Sequence, residues 1–365
     1  MNQVVTSKIT ADPRIDPRIK ALFGWPDRPP VGDIESREAL IAQANTPEAL
    51  AAEAAMDALF SACDSEANAP SAGLSIKRDS FVSAPDGNAI QVAVIRPDTA
   101  ERLPCVVYLH GGGMQTMSAF NGMYSAWGRI IAAQGVAVVM VDFRNALRPS
   151  SAPEVLPFPA GLNDCVSGVK WVAANAQRLN IDPARIVVAG ESGGGNLTLA
   201  TGLKLKRDGD IGLISGLYAL CPYIAGQWPH PDNPSSVENN GLLLELHNNR
   251  GAMAYGIEAF ERKDPLAWPG FAREADVKGL PPVIISVNEC DPLRDEGVGF
   301  YRLLLRAGAP ARCRQIMGTT HGAEVFSIAC PEISRDAAAD IARFAHGAAP
   351  APAAGRAQSP ELATA

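Results

Sequence analysis

The sequence lacks the patterns that indicate a metal, a redox centre or a nucleic-acid partner. Its seven cysteines form no C-x-x-C pair, which argues against a zinc site and a dithiol redox pair. It contains no Lys- or Arg-rich run, and its net charge of -7 argues against nucleic acid and anionic membrane surfaces as partners. We therefore expect no metal, no cofactor and no nucleic acid.

Long hydrophobic runs are missing as well. No apolar stretch approaches the roughly 18 residues that a membrane-spanning helix needs, and the segment from Met1 to Asp16 lacks the apolar core of a signal peptide. An odd, scattered set of cysteines is typical of a reducing compartment. We expect a cytoplasmic protein without stable membrane insertion.

The apolar residues that are present come in short blocks. They make up 47% of 365 residues, enough for one large core. Four blocks have the composition of strands: Cys105 to Leu109, Val136 to Val141, Ile186 to Ala189 and Val283 to Val287. Continuous Val/Ile runs are typical of strands buried on both faces, and their alternation with helix-like segments predicts βαβ units. The predicted fold class is α/β, with a mostly parallel central sheet flanked by helices.

Other segments depart from this alternation. Residues 1 to about 35 are rich in Pro, Asp and Arg and are predicted to form an extended arm, and Glu35 to Asp64 predicts one or two helices. The stretch from Pro222 to Leu280 is rich in Pro, Asn, Trp and Gly, with a helix-like segment at about Leu242 to Phe260. Such an insertion between core strands often forms a lid or cap over a site. A further helix-like segment is expected around Val325.

The strongest chemical signal is the G-x-S-x-G pattern from Gly190 to Gly194, directly after a strand-like run and directly before a helix-like one. A nucleophile on a tight strand-to-helix turn has a strained backbone and needs small neighbours. There the hydroxyl of Ser192 lies at a helix N-terminus, whose partial positive charge favours an oxyanion. The alternative is a glycine-rich turn with a bystander serine, which the strand–turn–helix context disfavours.

A second signal, H-G-G-G from His110 to Gly113, follows the first strand-like block. Successive glycines leave backbone N–H groups free to contact a ligand, as an oxyanion hole for acyl transfer requires, and Gly193 would add a further donor. A phosphate-binding turn is the alternative, but the G-x-G-x-x-G spacing and the G-K-[ST] ending are missing. We expect His110 and Gly111 to support the loop, with His110 not acting as the base.

A serine nucleophile needs a base, and the chain has five histidines. His321 follows the strand-like segment Ala311 to Met317, and catalytic groups of parallel sheets lie at the C-terminal ends of strands. His230 and His247 lie in the insertion, and His346 ends the last predicted helix. A lone loop histidine is usually a solvated side chain, but this position favours His321 as the base.

The base needs an orienting acid. Asp291 follows a predicted strand and precedes a proline, so it also fits an ordinary helix N-cap. Asp295 and Glu296 are more simply explained as charges that compensate the dipole of the following helix. The chain order Ser192, Asp291, His321 is the one expected of this architecture, and it favours Asp291.

With these residues assembled, the chain resembles the hormone-sensitive-lipase-like family of bacterial carboxylesterases, within the α/β-hydrolase fold. The similarity runs from about Leu74 to Phe344 and includes four motifs: H-G-G-G at His110 to Gly113, G-E-S-G-G-G-N at Gly190 to Asn196, D-P-L-R-D-E at Asp291 to Glu296, and His321-Gly322. The resemblance implies a triad of Ser192, Asp291 and His321 and an oxyanion hole of Gly112, Gly113 and Gly193.

Three positions depart from the family's pattern. Met114 stands where an aromatic residue is common, and Ala323 stands where Phe is common beside the base. The family's D-Y-R-L-A-P-E segment is replaced by Asp142 to Pro149 with extra residues before the next Pro-Glu pair, which suggests a longer loop near the acyl-binding side.

The resemblance also implies a helical cap built from the N-terminal segment and the insertion. We therefore divide the chain into an N-terminal arm with cap helices (1–72), a first part of the core (73–221), a cap insertion (222–280), a second part of the core (281–346) and a disordered tail (347–365). Residues 1 to 35 fit either a cover for the cleft or a contact with a second subunit in a homodimer.

The implied function is a serine carboxylesterase that hydrolyses short-chain acyl or aryl esters through an acyl-enzyme intermediate. Its substrate is a small-molecule ester, and no metal or cofactor takes part. The sequence leaves two alternatives open. One is a hydrolase of the same fold that cleaves an amide, carbamate or lactone. The other is a non-catalytic small-molecule receptor, against which an intact nucleophile–base–acid set argues.

Overall fold

The computed structural model describes residues 7–27 and 29–347. The tail predicted to be disordered, 347–365, lies outside the described residues except for Gly347. Within the described ranges the chain forms eight strands: β1 Leu74–Val82, β2 Ala89–Pro97, β3 Leu103–Leu109, β4 Ala137–Val141, β5 Ile181–Glu191, β6 Gly216–Leu220, β7 Val283–Cys290 and β8 Ala311–Thr320.

The same ranges contain fourteen α-helices: α1 Lys8–Ala11, α2 Pro17–Phe23, α3 Arg37–Ala44, α4 Pro47–Ser61, α5 Gly122–Ala132, α6 Ala160–Ala174, α7 Ala176–Leu179, α8 Gly193–Asp208, α9 Ser235–Glu238, α10 Arg250–Tyr255, α11 Ile257–Glu261, α12 Glu274–Val277, α13 Arg294–Arg306 and α14 Pro331–Gly347. Short 3-10 turns occur at Ile211–Leu213 and Pro269–Phe271. Among the described residues, no helix is both long enough and apolar enough to cross a membrane.

The eight described strands form one sheet in the order β1-β2-β4-β3-β5-β6-β7-β8. The pairs β1–β2 and β2–β4 are antiparallel, and every pair from β4–β3 to β7–β8 is parallel. The predicted α/β class, with a mostly parallel sheet flanked by helices, is confirmed. Because β3 to β8 run in one direction, the loops that follow them meet at one edge of the sheet.

Helices cover both faces of the sheet, which is why β3, β4 and β6 consist of buried, mostly apolar residues. Residues of β3 alternate between two clusters: Val107 packs on the face covered by α6, α8 and α13, whereas Val106 packs on the face covered by α5 and α14. Strand β6 is also fully buried but was not predicted from the sequence. Its five residues, GLYAL, begin with glycine and form too short an apolar run to stand out.

The N-terminal arm differs from its predicted extended form. Two short helices, α1 and α2, lie within residues 7–27. Local signals explain both: the side chains of Ser7 and Asp16 accept N-cap hydrogen bonds from Thr10 and Arg18, and Pro17 occupies the first position of α2. The expectation of an extended arm is wrong over these residues.

Two further helix predictions are wrong. The segment from Leu242 to Phe260 is helical only in α10 and α11, because Gly256, with φ of 141°, separates the two helices and the residues before Arg250 form turns. The residues around Val325 also form turns, and the following helix begins at Pro331.

Candidate active site

Ser192 occupies a sharp turn between β5 and α8. Its backbone has φ of 56° and ψ of -119°, a conformation that is strained for any residue other than glycine. The turn packs so closely on β3 that a Cβ on Gly190 or Gly194 would lie 2.5 or 2.0 Å from the carbonyl oxygen of Leu109. The small residues of the G-x-S-x-G pattern are therefore required by backbone contact.

The glycine loop after β3 lies directly against this turn. A Cβ on Gly193 would lie 2.7 Å from the amide nitrogen of Gly113 and 2.5 Å from that of Met114. Gly112 and Gly113 have φ of 87° and 64°, so the loop folds back through the left-handed region that glycine tolerates. The structure thus brings the three predicted oxyanion-hole residues together beside the turn that holds Ser192.

His110 is fully buried beneath the glycine loop. Its Nδ1 donates to the carbonyl oxygen of Gly111 (2.9 Å), and its ring stacks on Phe143 with centroids 4.1 Å apart. Burial lowers the pKa of His110, and Nε2 lies 3.8 Å from a carboxylate oxygen of Asp142. The imidazole therefore holds the loop from below, away from the cavity, as a supporting residue would.

A buried carboxylate that the sequence reasoning missed ties the loop to the turn. Glu191 accepts hydrogen bonds from the hydroxyls of Tyr108 and Tyr124, both at 2.6 Å. The Tyr124 oxygen also accepts the N–H of Gly111 (2.9 Å). Burial raises the pKa of Glu191 to about 7. The sequence G-E-S shows that an acidic residue precedes Ser192. Tyr124, however, has the spacing of an ordinary core residue on α5, so no sequence pattern predicts that the two side chains interact.

Asp291 and His321 form a buried pair at the ends of β7 and β8. The Oδ2 atom of Asp291 lies 2.8 Å from Nδ1 of His321. Burial is the largest single influence and opposes protonation of the imidazole, but the Asp291 carboxylate and the Cys221 sulfur together raise the pKa of His321 well above its usual value. The N-cap position of α13 is Leu293, so Asp291 lies outside that helix, and its Oδ1 accepts the N–H of Leu293 (2.9 Å).

Glu296 differs from its predicted role as a dipole-compensating charge. It is buried and accepts the N–H groups of Ile224 (2.6 Å) and Ala225 (3.1 Å) and the indole Nε1–H of Trp228 (2.7 Å). Burial raises the pKa of Glu296 to about 8. Glu296 therefore anchors the start of the insertion to the core. Asp295 remains in the first turn of α13, where it accepts the N–H of Ser235.

Ser192 and His321 line the same cavity, whose volume is about 410 Å³. Gly112 and Gly113 line it too. Most of the remaining wall is apolar and comes from the N-terminal segment, the insertion and the loop after His321: Phe23, Met56, Phe60, Tyr223, Leu243, Leu244, Leu246, Val325 and Phe326. The site therefore offers a mainly hydrophobic chamber over the hydroxyl and the imidazole.

A neighbouring cavity of about 600 Å³ shares part of this wall, including Met56 and Met117. The loop that departs from the family pattern contributes Leu147, Arg148 and Pro149 to it. Met114 and Ala323, the other two departures, are both buried, and Met114 lies at the glycine loop with φ of 61°. The longer loop thus borders the second cavity.

One group of ligand-type atoms in the described residues has metal-binding geometry. Single atoms of Cys221, Asp291 and His321 lie within 4.8 Å of one another, and all three residues are buried. Two of these residues already share the 2.8 Å hydrogen bond. The expected absence of a metal stays a prediction.

Comparison with known proteins places the chain among hydrolases. Residues 106–325 match the family described as alpha/beta hydrolase fold. Carboxylesterase NlhH of Mycobacterium tuberculosis (strain ATCC 25618 / H37Rv) is 33% identical over 238 residues, 64% of this chain and 71% of that protein. A solved structure of esterase Est22 with p-nitrophenol is 64% identical, with a TM-score of 0.91 over 93% of this chain and 100% of that chain. Brefeldin A esterase, a bacterial homologue of human hormone-sensitive lipase, is 36% identical, with a TM-score of 0.80 over 92% and 94%.

Proposed function

The chain belongs to the alpha/beta-hydrolase fold family and is a serine carboxylesterase, and on that basis we propose that Ser192, Asp291 and His321 carry out its reaction. The predicted resemblance to hormone-sensitive-lipase-like carboxylesterases is confirmed. The observation that supports these roles best is the buried Asp291–His321 pair, because its imidazole shares one cavity with a serine on a strained turn.

In the first half of the reaction, the Ser192 oxygen attacks the carbonyl carbon of the ester while Nε2 of His321 accepts the hydroxyl proton. Nδ1 of His321 keeps its hydrogen bond to Asp291, whose charge stabilises the imidazolium. His321 then gives the proton to the leaving alkoxide or aryloxide. The alcohol departs, and the acyl group remains on Ser192.

In the second half, water attacks the acyl carbon as His321 takes one of its protons, and the carboxylic acid leaves when the serine oxygen is reprotonated. Each half passes through a tetrahedral oxyanion. We assign the stabilising N–H groups to Gly112, Gly113 and Gly193, which lie together beside the Ser192 turn. A single site thus serves both halves of the reaction.

We further propose short-chain acyl or aryl esters as the substrates. A cavity of about 410 Å³ with a largely apolar wall fits a compact hydrophobic group. The structure of esterase Est22 with p-nitrophenol, at 64% identity, supports an aryl leaving group. The predicted cap is also part of the proposal, since residues 7–72 and 222–280 both contribute to the cavity wall, including Phe60 and Leu244.

The proposal includes a cytoplasmic location. All seven cysteines are unpaired with one another, which supports a reducing compartment. A homodimer stays a prediction, with its test the oligomeric state in solution.

The test is hydrolysis of p-nitrophenyl esters, from acetate to palmitate, by the wild type and Ser192→Ala. We expect short chains to react fastest and the variant to lose roughly four to six orders of magnitude in kcat, as removal of a triad nucleophile does in other serine hydrolases. A fluorophosphonate probe should label the wild type at Ser192 and leave the variant unlabelled. Turnover by Ser192→Ala at the wild-type rate would contradict the proposal.

A further inference from the structure

The loop that holds Asp291 is not fixed by the sheet alone. The pairing of β7 with β8 shifts register between Asn288 and Cys290, immediately before the proposed catalytic acid. A register shift leaves main-chain groups without their regular ladder partners. Other groups must then hold the carbonyl oxygens of this loop.

Side chains of the insertion provide these hydrogen bonds. The Nδ2 atom of Asn239 donates to the carbonyl oxygens of Glu289 (3.2 Å) and Asp291 (3.1 Å). The hydroxyl of Ser235 donates to the carbonyl oxygen of Pro292 (3.0 Å). Asn239 and Ser235 are both fully buried, so each bond is shielded from water.

The N-terminal arm holds Asn239 in turn. Nη2 of Arg14 lies 2.9 Å from Oδ1 of Asn239, which fixes the amide with its Nδ2 toward the loop. Arg14 is itself oriented by Asp12, with Nε 3.0 Å from Oδ1 and Nη2 2.6 Å from Oδ2, and it forms an ion pair with Glu238. A residue of the arm thus sets the orientation of a residue of the insertion.

The arm also contacts the end of β8, just before His321. The N–H of Asp16 donates to the carbonyl oxygen of Gly318 (2.9 Å). The N–H of Gly318 in turn donates to the Glu289 carboxylate (2.7 Å). The arm, the insertion and the two loops that hold Asp291 and His321 therefore meet at one place.

We propose that Asn239 is a positioning residue for the catalytic acid, and that Arg14 acts by holding Asn239. This inference rests on the proposed function, because it assigns Asp291 as the acid. Loss of the Asn239 amide removes one of two donors from each of these carbonyl oxygens. Glu289 keeps only its bond from Nη1 of Arg294 (3.0 Å), and Asp291 keeps only its bond from the Arg294 N–H (3.1 Å), so the loop shifts and the Asp291–His321 hydrogen bond lengthens. Only steps in which His321 gains or loses a proton depend on that bond.

The test compares Asn239→Ala with the wild type on p-nitrophenyl acetate. We expect kcat to fall roughly 10- to 100-fold, the loss typical of a small misplacement of catalytic groups, while KM stays within about threefold because ground-state binding is untouched. Asn180→Gly is the matched control: Nδ2 of Asn180 also donates to two loop carbonyls, of Ala100 (3.0 Å) and Glu101 (3.1 Å), and its φ of 52° suits glycine.

The pH profile of kcat/KM separates positioning from general destabilisation. Asp291 raises the pKa of His321, so a weaker contact lowers that pKa and moves the acidic limb of the profile to lower pH. Cys221 and Glu191, which also act on His321, are unchanged in the variant. Partial unfolding lowers the number of active sites without moving the limb.

Arg14→Ala gives a second measurement in case Asn239→Ala does not fold. It should lower kcat by less, roughly threefold to tenfold, because Asn239 keeps its own hydrogen bonds. Arg18→Ala, which removes an exposed arm residue paired with Asp16 and Glu332, is its control. Wild-type kcat per labelled site and an unmoved acidic limb in both test variants would overturn the inference. If the wild type takes no fluorophosphonate or Ser192→Ala stays active, the proposed function itself fails.

Discussion

The two sides of the cavity floor are built by different means. The nucleophile side, residues 109–114 and 190–194, is held by backbone atoms that approach so closely that a Cβ on Gly193 or Gly194 has no room. The acid–base side, residues 288–293 and 318–321, has a register shift in its strands, and polar side chains of the arm and the insertion hold it. The nucleophile side therefore depends on close glycine packing beside the Glu191–tyrosine network, and the acid–base side depends on hydrogen bonds from distant polar side chains.

This difference has consequences for how each side tolerates change. The nucleophile side packs two short contiguous segments, 109–114 and 190–194, backbone against backbone, and it cannot relax around an added methyl group. The acid–base side is assembled from segments separated by more than 200 residues, such as Arg14 and Asn239. We expect an added methyl group on the first side to act abruptly, whereas loss of one of the hydrogen bonds that hold the second side should act in graded steps.

Among variants of the residues that surround the nucleophile, the largest predicted effect is on the acid–base side. Asp291→Asn keeps the size of the side chain and the Oδ1 acceptor for Leu293, but it removes the charge that orients and stabilises His321. In a comparable triad this change lowers kcat by about four orders of magnitude. We expect a similar loss with p-nitrophenyl acetate, measured at constant pH.

Asp264→Asn is the control for that variant. Asp264 makes the same local bond as Asp291, to an N–H two residues further on, at 2.9 Å from Leu266. It should leave kcat unchanged. If kcat of Asp291→Asn falls by less than tenfold, Asp291 does not act as the acid that orients His321.

The next effect tests the nucleophile side. Gly193→Ala places a Cβ 2.5 Å from the nitrogen of Met114, and neither backbone segment can move away without opening the oxyanion hole. We expect kcat to fall by roughly two to three orders of magnitude, the loss seen when one oxyanion donor is removed.

A second helical glycine provides the matched control. Gly299 lies inside α13, and a Cβ there meets nothing within 4 Å, so Gly299→Ala should preserve activity and stabilise the helix slightly. Equal kcat in Gly193→Ala and Gly299→Ala would contradict the view that close backbone contact forms the hole.

The same comparison explains what the sequence could predict. The G-x-S-x-G and H-G-G-G motifs are contiguous and follow strands, so the sequence predicted Ser192 and its glycine neighbours together. Asp291 and His321 required chain order and the resemblance to choose among alternatives. Asn239 had no signal, because its importance comes from a contact with residues 50 positions away. Local pattern predicts local packing, whereas the partners of a long-range hydrogen bond follow only from the fold.

Glu296 illustrates the same limit and gives the smallest predicted effect, on stability. Its position in the first turn of α13 suggested a charge that compensates the helix dipole, but it is buried under the start of the insertion, and burial raises its pKa from 4.5 to about 8. The folded chain therefore keeps a proton that the unfolded chain loses above about pH 4.5. This contribution to stability is complete below pH 4.5 and is lost as the pH rises to about 8.

We expect the Tm of the wild type to decrease as the pH rises from 4.5 to about 8. In Glu296→Gln this decrease should be smaller by a few degrees. Glu191, whose pKa is about 7, adds to the trend in both proteins, so the difference between them isolates Glu296. Glu258→Gln, at an exposed position on α11, should show the wild-type slope. If Glu296→Gln keeps that slope as well, the carboxyl is ionised in the folded chain. The three donors on Glu296 would then outweigh burial, and the anchor of the insertion would be a buried charge.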